Sequence, residues 1–303
     1  MTTNHYMTTP SLAIKIDVDT EIGTRIGVPN LISLLNELQI PATFYLSLGP
    51  DNTGRAIKRI FRKGFFKKVS RTSVINTYGI KTLLNGVLIP GPHIGKKHEK
   101  ILRSIKEQGF EVGIHAYDHQ KWQDGVTKMS QEEIATEFQK ALDEFQRIFK
   151  TPATTAAAPG WQANEKTLAV YDQANLIYAS DCRGKSSFYP KVDTKSYNAL
   201  QILTTLPTLD ELLGRPKFPL DSLATHYLSL LKPDEINVLT IHPELEGMKY
   251  FEWFRSLLLE SKKHNIQFKN LSDIAGLKTY PNCEMIQKGI EGRSGNLAYQ
   301  NTL

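Results

Sequence analysis

Leu12-Ala-Ile-Lys-Ile-Asp17-Val-Asp19 is a short apolar run that closes on two acids, and its reading decides the rest of the chain. Leu12 to Asp17 reads as a strand. Far downstream stands His115-Ala-Tyr-Asp-His119. Together the two stretches offer one carboxylate and two imidazoles for a metal, with a second carboxylate left over. A metal site with a spare acid beside it suggests hydrolysis.

Outward from that strand, periodicity predicts alternating strands and helices. Val28 to Gln39 carries apolar residues at Leu31, Leu34, Leu35 and Leu38, a helical spacing, and Ala42 to Ser47 reads as a second strand. A basic segment interrupts the alternation. It resumes with a helix over 99–108, the strand 110–114, a helix over 130–149 opened by the capping box Ser130/Glu133, and a short strand at 154–158. A helix over 165–174, strands at 176–180 and 200–204, a helix over 220–231, the strand 236–241 and further helices complete the pattern. Repeated β–α units favour a parallel sheet, open or closed into a barrel. Asp17 and Asp19, His115 and His119, Pro159-Gly160-Trp161, Asp181 and His242 each fall just past a predicted strand. In a β/α barrel these positions converge on one face, where active sites are found.

Composition is that of an ordinary globular chain: 303 residues, 40% hydrophobic, long enough for one barrel or two domains. Cys182 and Cys283 are too few for a disulfide framework and lack zinc-cluster spacing, so a reducing compartment is expected. Met1 to Pro10 is polar without a basic n-region, and no run of apolar residues is long enough to span a bilayer. The net charge of +6 is local in origin. Between Asn52 and His98 there are eleven lysines and arginines and no acid, which leaves the remainder at −5.

Each motif has a plainer alternative. An isolated H-x-x-x-H is by default a capping or surface pair, and Asp-x-Asp is more often a turn or cap pair. Found together at strand ends, His115 and His119 on one face of a first helical turn with Asp19 as third donor make a metal the better reading, with open positions for water. His242, in Leu239-Thr-Ile-His242-Pro-Glu, is either a buried, hydrogen-bonded histidine or the general acid for a leaving amine. Asp181 would orient His242 and raise its pKa, or cap a turn before Gly184. Cys182 has no adjacent base and is a poor nucleophile.

Ile16-Asp17-Val18-Asp19, the His115/His119 pair, Pro159-Gly160-Trp161, Asp181 and Leu239-Thr-Ile-His242 resemble, in order and spacing, the NodB-type polysaccharide deacetylases over roughly 12–277. The resemblance implies a distorted (β/α) barrel, a single catalytic domain over 1–303, Asp17 as base, Asp19, His115 and His119 as metal ligands, and His242 as acid. Gly160 is then expected to offer its backbone N–H to the oxyanion, with Trp161 and Arg183 on the substrate. Gly27-Val-Pro29, Gly49-Pro-Asp-Asn52, Trp122-Gln123, Ser180-Asp-Cys-Arg-Gly184 and Leu206-Pro-Thr208 are similar to one branch, the deformylases of undecaprenyl-phosphate-linked 4-deoxy-4-formamido-L-arabinose, which serve lipid A modification and polymyxin resistance. One departure stands out: the arginine of the family's third motif is replaced by Ala156-Ala-Ala158, so what holds Asp17 is open. Arg183 is then expected to grip substrate phosphate.

The basic segment, 52–98, is expected to be an amphipathic insertion. Its apolar positions Ile57, Ile60, Phe61, Phe65 and Val69 alternate with cations, as in a cationic surface helix. Each basic residue near an anionic leaflet contributes about 1 kcal/mol, and eight lie between Arg55 and Arg71. Residues 55–89 would thus attach a cytoplasmic enzyme to the anionic inner-membrane surface, near a lipid-linked sugar. Nucleic acid is not expected as partner, because the aromatics lie on the apolar stripe rather than among the cations. The expected cofactor is one divalent ion, zinc first, with cobalt, nickel and manganese suited to the same donors. The alternatives are an N-deacetylase of a soluble or peptidoglycan-type amino sugar and a non-catalytic lipid-binding barrel.

Overall fold

The computed structural model describes residues 9–55, 85–87, 89–233, 235–277, 279–293 and 295–302. Most of the expected basic insertion, at 56–84, lies outside the described residues, and with it the expected surface helix.

Strand β1 spans Ser11–Val18, and a π-helical turn at Gly23–Gly27 leads into α1 (Val28–Leu38) and β2 (Thr43–Ser47). Beyond the basic segment come α2 (Ile94–Lys97), α3 (Glu99–Glu107), β3 (Glu111–Ala116), α4 (His119–Gly125), α5 (Gln131–Phe149), β4 (Thr155–Ala156), a 3-10 turn at Pro159–Trp161, α6 (Glu165–Gln173) and β5 (Tyr178–Ala179). Then follow β6 (Tyr189–Val192), β7 (Lys195–Ser196), β8 (Leu200–Gln201), α7 (Leu209–Leu212), α8 (Leu220–Leu230) and β9 (Ile236–Ile241). A second π-helical turn at Leu245–Lys249, α9 (Phe251–Lys263), β10 (Gln267–Lys269), α10 (Leu271–Ala275), β11 (Asn282–Gly289) and β12 (Asn296–Gln300) end the chain.

The main sheet is parallel throughout, in the order β10-β1-β2-β3-β4-β5-β8, with β9 also on β1. The chain leaving β8 returns to β9, where the Thr205 and Leu206 amides donate to the Val238 carbonyl. The expected distorted barrel is therefore present, its β8–β9 seam closed by these bonds, by the Val238 amide donating to the Thr205 hydroxyl and by the Thr204–Thr240 hydroxyl pair instead of a full ladder. Strand β1 explains why its sequence reads as continuously apolar. Leu12, Ile14, Ile16 and Val18 belong to the large core under the helices, whereas Ala13 belongs to a second cluster with Tyr45, Ala157, Tyr178 and Val238. Side chains alternate across a strand, so Lys15 and Asp17 share the inward register of Ala13. Position 113 on β3 must be glycine, because a Cβ there would stand 2.7 Å from the Tyr45 ring.

Helix α5 opens as its sequence predicts: Ser130 accepts from the Glu133 amide and Glu133 accepts from the Ser130 amide. Such caps contribute about 1 kcal/mol. A second, four-stranded sheet, in the order β12-β11-β6-β7, has no counterpart in the sequence expectation. Arg183 joins the two sheets, since its amide donates to the Ala298 carbonyl and its own carbonyl accepts from Gln300.

Candidate active site

Parallel strands end on one side, and the predicted residues meet there. Asp17 is the last inward residue of β1 and Asp19 follows the strand; His115 is inward near the end of β3, and His119 opens α4, whose N-cap Asp118 accepts from the Lys121 amide. His242 follows β9 directly.

Asp19, His115 and His119 converge so that one ligand atom from each lies within 4.8 Å of the others. Asp19 Oδ1 is 3.2 Å from His115 Nε2 and 3.3 Å from His119 Nε2. That oxygen is buried and has no hydrogen-bond partner. His115 Nδ1 lies 2.7 Å from the Ala157 carbonyl, which requires a proton on Nδ1 and leaves the Nε2 lone pair facing Asp19. His119 Nδ1 is engaged by the Gln120 amide at 3.2 Å. A bare carboxylate oxygen facing two Nε2 atoms is a donor set that fits a divalent cation. The field there agrees. Burial raises the pKa of Asp19, yet His119 and His115 outweigh it and hold the carboxyl well below its ordinary range. Burial lowers the pKa of His115, yet Asp17 and Asp19 raise it above its ordinary value. The residues thus favour positive charge at their centre.

Asp17 is buried beside this cluster. Its Oδ2 is 3.3 Å from Lys15 Nζ, and its Oδ1 has no hydrogen-bond partner. His242 is half-buried, its amide donates to Glu246 Oε2 at 2.9 Å, and it is near enough to Asp19 to be among the groups that lower that carboxyl's pKa. Asp181 stands elsewhere than the sequence suggests. It accepts from the Ala158 amide at 2.6 Å and from Gln201 at 3.0 Å, and among the described residues it makes no hydrogen bond to the His242 ring. Burial, offset in part by Gln201, raises its pKa to about 6. Asp181 therefore braces the strand exit that leads into Pro159–Trp161. In that turn Gly160 has φ +60, and a Cβ there would lie 2.3 Å from the Gln123 amide.

Trp161 is buried, donates through Nε1 to Thr204 Oγ1 at 3.2 Å, and has three cations on its ring: Arg293 at 4.6 Å, Arg183 at 4.9 Å and Lys15 at 5.6 Å. Arg183, expected on phosphate, is buried and spends its guanidinium on Glu211 and the Leu206 carbonyl. Arg293, from the turn between β11 and β12, bonds Glu211, Thr208 and Asp210, and its field reaches Asp19.

Sequence reasoning missed Arg293, Lys15 as a partner of Asp17, and two buried carboxyls, Glu244 and Glu246. Burial raises both to about 8. Glu244 accepts from the Thr20 amide and hydroxyl, and Gly23 leaves the room it occupies. The signal for Glu244 and Glu246 lay in the acids directly after His242, at a strand exit.

Comparison with known proteins agrees with this geometry. The polysaccharide deacetylase family matches residues 16–179. The chain is 36% identical over 294 residues to the probable 4-deoxy-4-formamido-L-arabinose-phosphoundecaprenol deformylase ArnD of Shewanella sediminis, covering 96% of this chain and 95% of that protein. It is 35% identical to the protein of the same name from Wigglesworthia glossinidia brevipalpis, covering 93% of this chain and 99% of the other. A crystal structure assigned to a polysaccharide deacetylase from Mycobacterium smegmatis shares the fold at TM-score 0.61 and 17% identity, over 90% of this chain and 91% of that one. BA3943 of Bacillus anthracis, a CE4 family pseudoenzyme, shares it at TM-score 0.53 and 14% identity, over 91% and 68%. A pseudoenzyme among these neighbours means that fold alone does not imply turnover. The site and the two full-length relatives go further: this chain belongs to the polysaccharide deacetylase family, alongside the two deformylases.

Proposed function

We propose that the chain is a metal-dependent amide hydrolase that removes formyl from undecaprenyl-phosphate-linked 4-deoxy-4-formamido-L-arabinose, a step in aminoarabinose modification of lipid A. The observation that carries the chemistry is the convergence of Asp19, His115 and His119 on one buried, unpartnered oxygen, with Asp17 and His242 adjoining. The near full-length match to two deformylases supports the choice of formyl over acetyl.

Asp19, His115 and His119 would hold the ion. A divalent ion bound there supplies Lewis-acid polarisation of the amide carbonyl and an acidified water, and zinc is the ion proposed. Asp17 accepts the water proton at Oδ1, the oxygen without a partner, as attack on the formyl carbon begins. The Gly160 backbone N–H stabilises the developing oxyanion. His242 donates a proton to the sugar nitrogen as the C–N bond breaks, which releases formate and the free amine. Trp161 forms one wall of the substrate site, stiffened by Arg293, Arg183 and the Thr204 hydroxyl.

The whole chain acts as one catalytic domain, with 52–98 inserted to meet the membrane. Among the described residues no helix is long and apolar enough to cross a membrane. Half-exposed Val87 and Ile89, at the edge of the basic segment, supply apolar surface for peripheral attachment to the anionic inner leaflet. Mass spectrometry of products from the lipid-linked formamido sugar and from an N-acetyl amino sugar, with and without a chelator, tests this function. Chelator-sensitive loss of formyl alone supports it. Deacetylation of the acetyl sugar in preference would transfer the protein to the deacetylase alternative.

A further inference from the structure

Lys15 stands mid-strand in β1 with its side chain fully buried. An ammonium in such a place is unfavourable unless it is paired and hydrogen-bonded. Its Nζ donates to the Ser180 carbonyl at 2.8 Å and lies 5.5 and 5.6 Å from the ring centres of Tyr45 and Trp161. The ion pair is made with Asp17 Oδ2, at 3.3 Å. No other carboxylate of the described residues lies within ion-pairing distance of it. Carbonyl, two aromatic rings and carboxylate thus fix the ammonium, and the ammonium in turn fixes one oxygen of Asp17. The other oxygen stays without a partner. Because residues two apart on a strand share a face, a lysine here reaches forward to the strand end without leaving the barrel interior.

The geometry points to Lys15 as the positioning residue of Asp17: it holds Oδ2 so that Oδ1 alone is presented to the reacting water. This rests on the reading of Asp17 as base. Nothing in β1 needs a cation for packing, since Ala13, the inward neighbour on the same register, is apolar and buried. A carboxylate that must accept a proton from one direction does need a fixed partner on its other side.

Lys15→Met keeps the length and removes the charge. With the thermal midpoint and ion content checked, kcat is expected to fall about 100-fold, the usual cost of a misplaced reacting group, with KM unchanged. Lys15→Leu, apolar and without a donor for Asp17, serves if the methionine variant does not fold, and the same loss in kcat is expected. Wild-type kcat in either folded, ion-loaded variant, or a change confined to KM, overturns the inference. Asp17→Asn, measured in parallel, separates the two ideas. If Asp17→Asn turns over normally, the base assignment falls and takes Lys15 with it. If Asp17→Asn is inactive while Lys15→Met keeps its kcat, the positioning role alone falls.

Discussion

The two sheets of this molecule bring residues to one site by different means. The parallel barrel sheet works by register: Asp17, His115 and His242 arrive at the same end of β1, β3 and β9 because each continues an inward alternation. The small sheet β12-β11-β6-β7 contributes no strand-end residue. It contributes Arg293, from a turn, held by Asp210, Glu211 and Thr208 instead of by a ladder. Placement by register is stiff and needs few partners, whereas placement by charge needs a balanced cluster around it. The first should therefore fail chemically when mutated, and the second structurally.

His242→Ala gives the largest expected effect. Loss of a positioned general acid lowers kcat by roughly 10²–10⁴-fold. The residue is half-buried and among the described residues its hydrogen bonds are made by the backbone, the amide to Glu246 and the carbonyl from the Leu245 and Glu246 amides, so the fold should be kept. Steady-state kinetics beside a thermal melt checks this. A variant that unfolds instead would erase the distinction between the two sheets.

Arg293→Met is the opposite case. It removes the cation that stands 3.1 Å from Asp210 and one of the two that pair with Glu211. Breaking a buried pair costs about 3–5 kcal/mol, and the low end applies because the side chain still touches solvent. A denaturant titration should show that loss, with a smaller loss of turnover as Trp161 loosens. If stability is unchanged while turnover collapses, Arg293 belongs with the chemistry and the contrast dissolves.

The same contrast explains what the sequence disclosed. Strands β1, β2, β3 and β9 carry dense apolar runs bounded by helices of clear periodicity, so both the elements and the residues at their ends could be read. Strand β7 is exposed, β11 is mostly exposed, β6 is four residues long with a proline and a lysine inside it, β10 is three residues long, and no pattern marks them. Arg293 was unreadable for that reason, since its meaning comes from Trp161 and Glu211, remote in the chain. Asp181 was legible as a strand-end acid, but its partners Ala158 and Gln201 were not, and so its bond to the adjoining strand exit could not be anticipated. Lys15 was in plain view within the opening run, yet only the folded alternation shows that it faces Asp17.

Glu246→Gln should give the smallest effect and separates burial from chemistry by its dependence on pH. Burial, helped by Asp210 and Glu244, raises Glu246 from 4.5 to about 8, against the hydrogen bond from the His242 amide. In the unfolded chain the carboxyl returns to its ordinary value. Between about 4.5 and about 8 the folded protein therefore holds more proton than the unfolded one, and stability falls as pH rises through that window. Glutamine keeps an acceptor for the His242 amide and has no proton to lose. Unfolding free energies measured from pH 5 to pH 8 should converge at the acid end and separate in favour of Glu246→Gln at the alkaline end. Glu244 keeps part of the slope in the variant, because it too is raised to about 8, partly by Asp19. Parallel curves for the two proteins would mean that Glu246 ionises as freely inside the fold as outside it. The strand exit after β9 would then be open to water, and His242 with it.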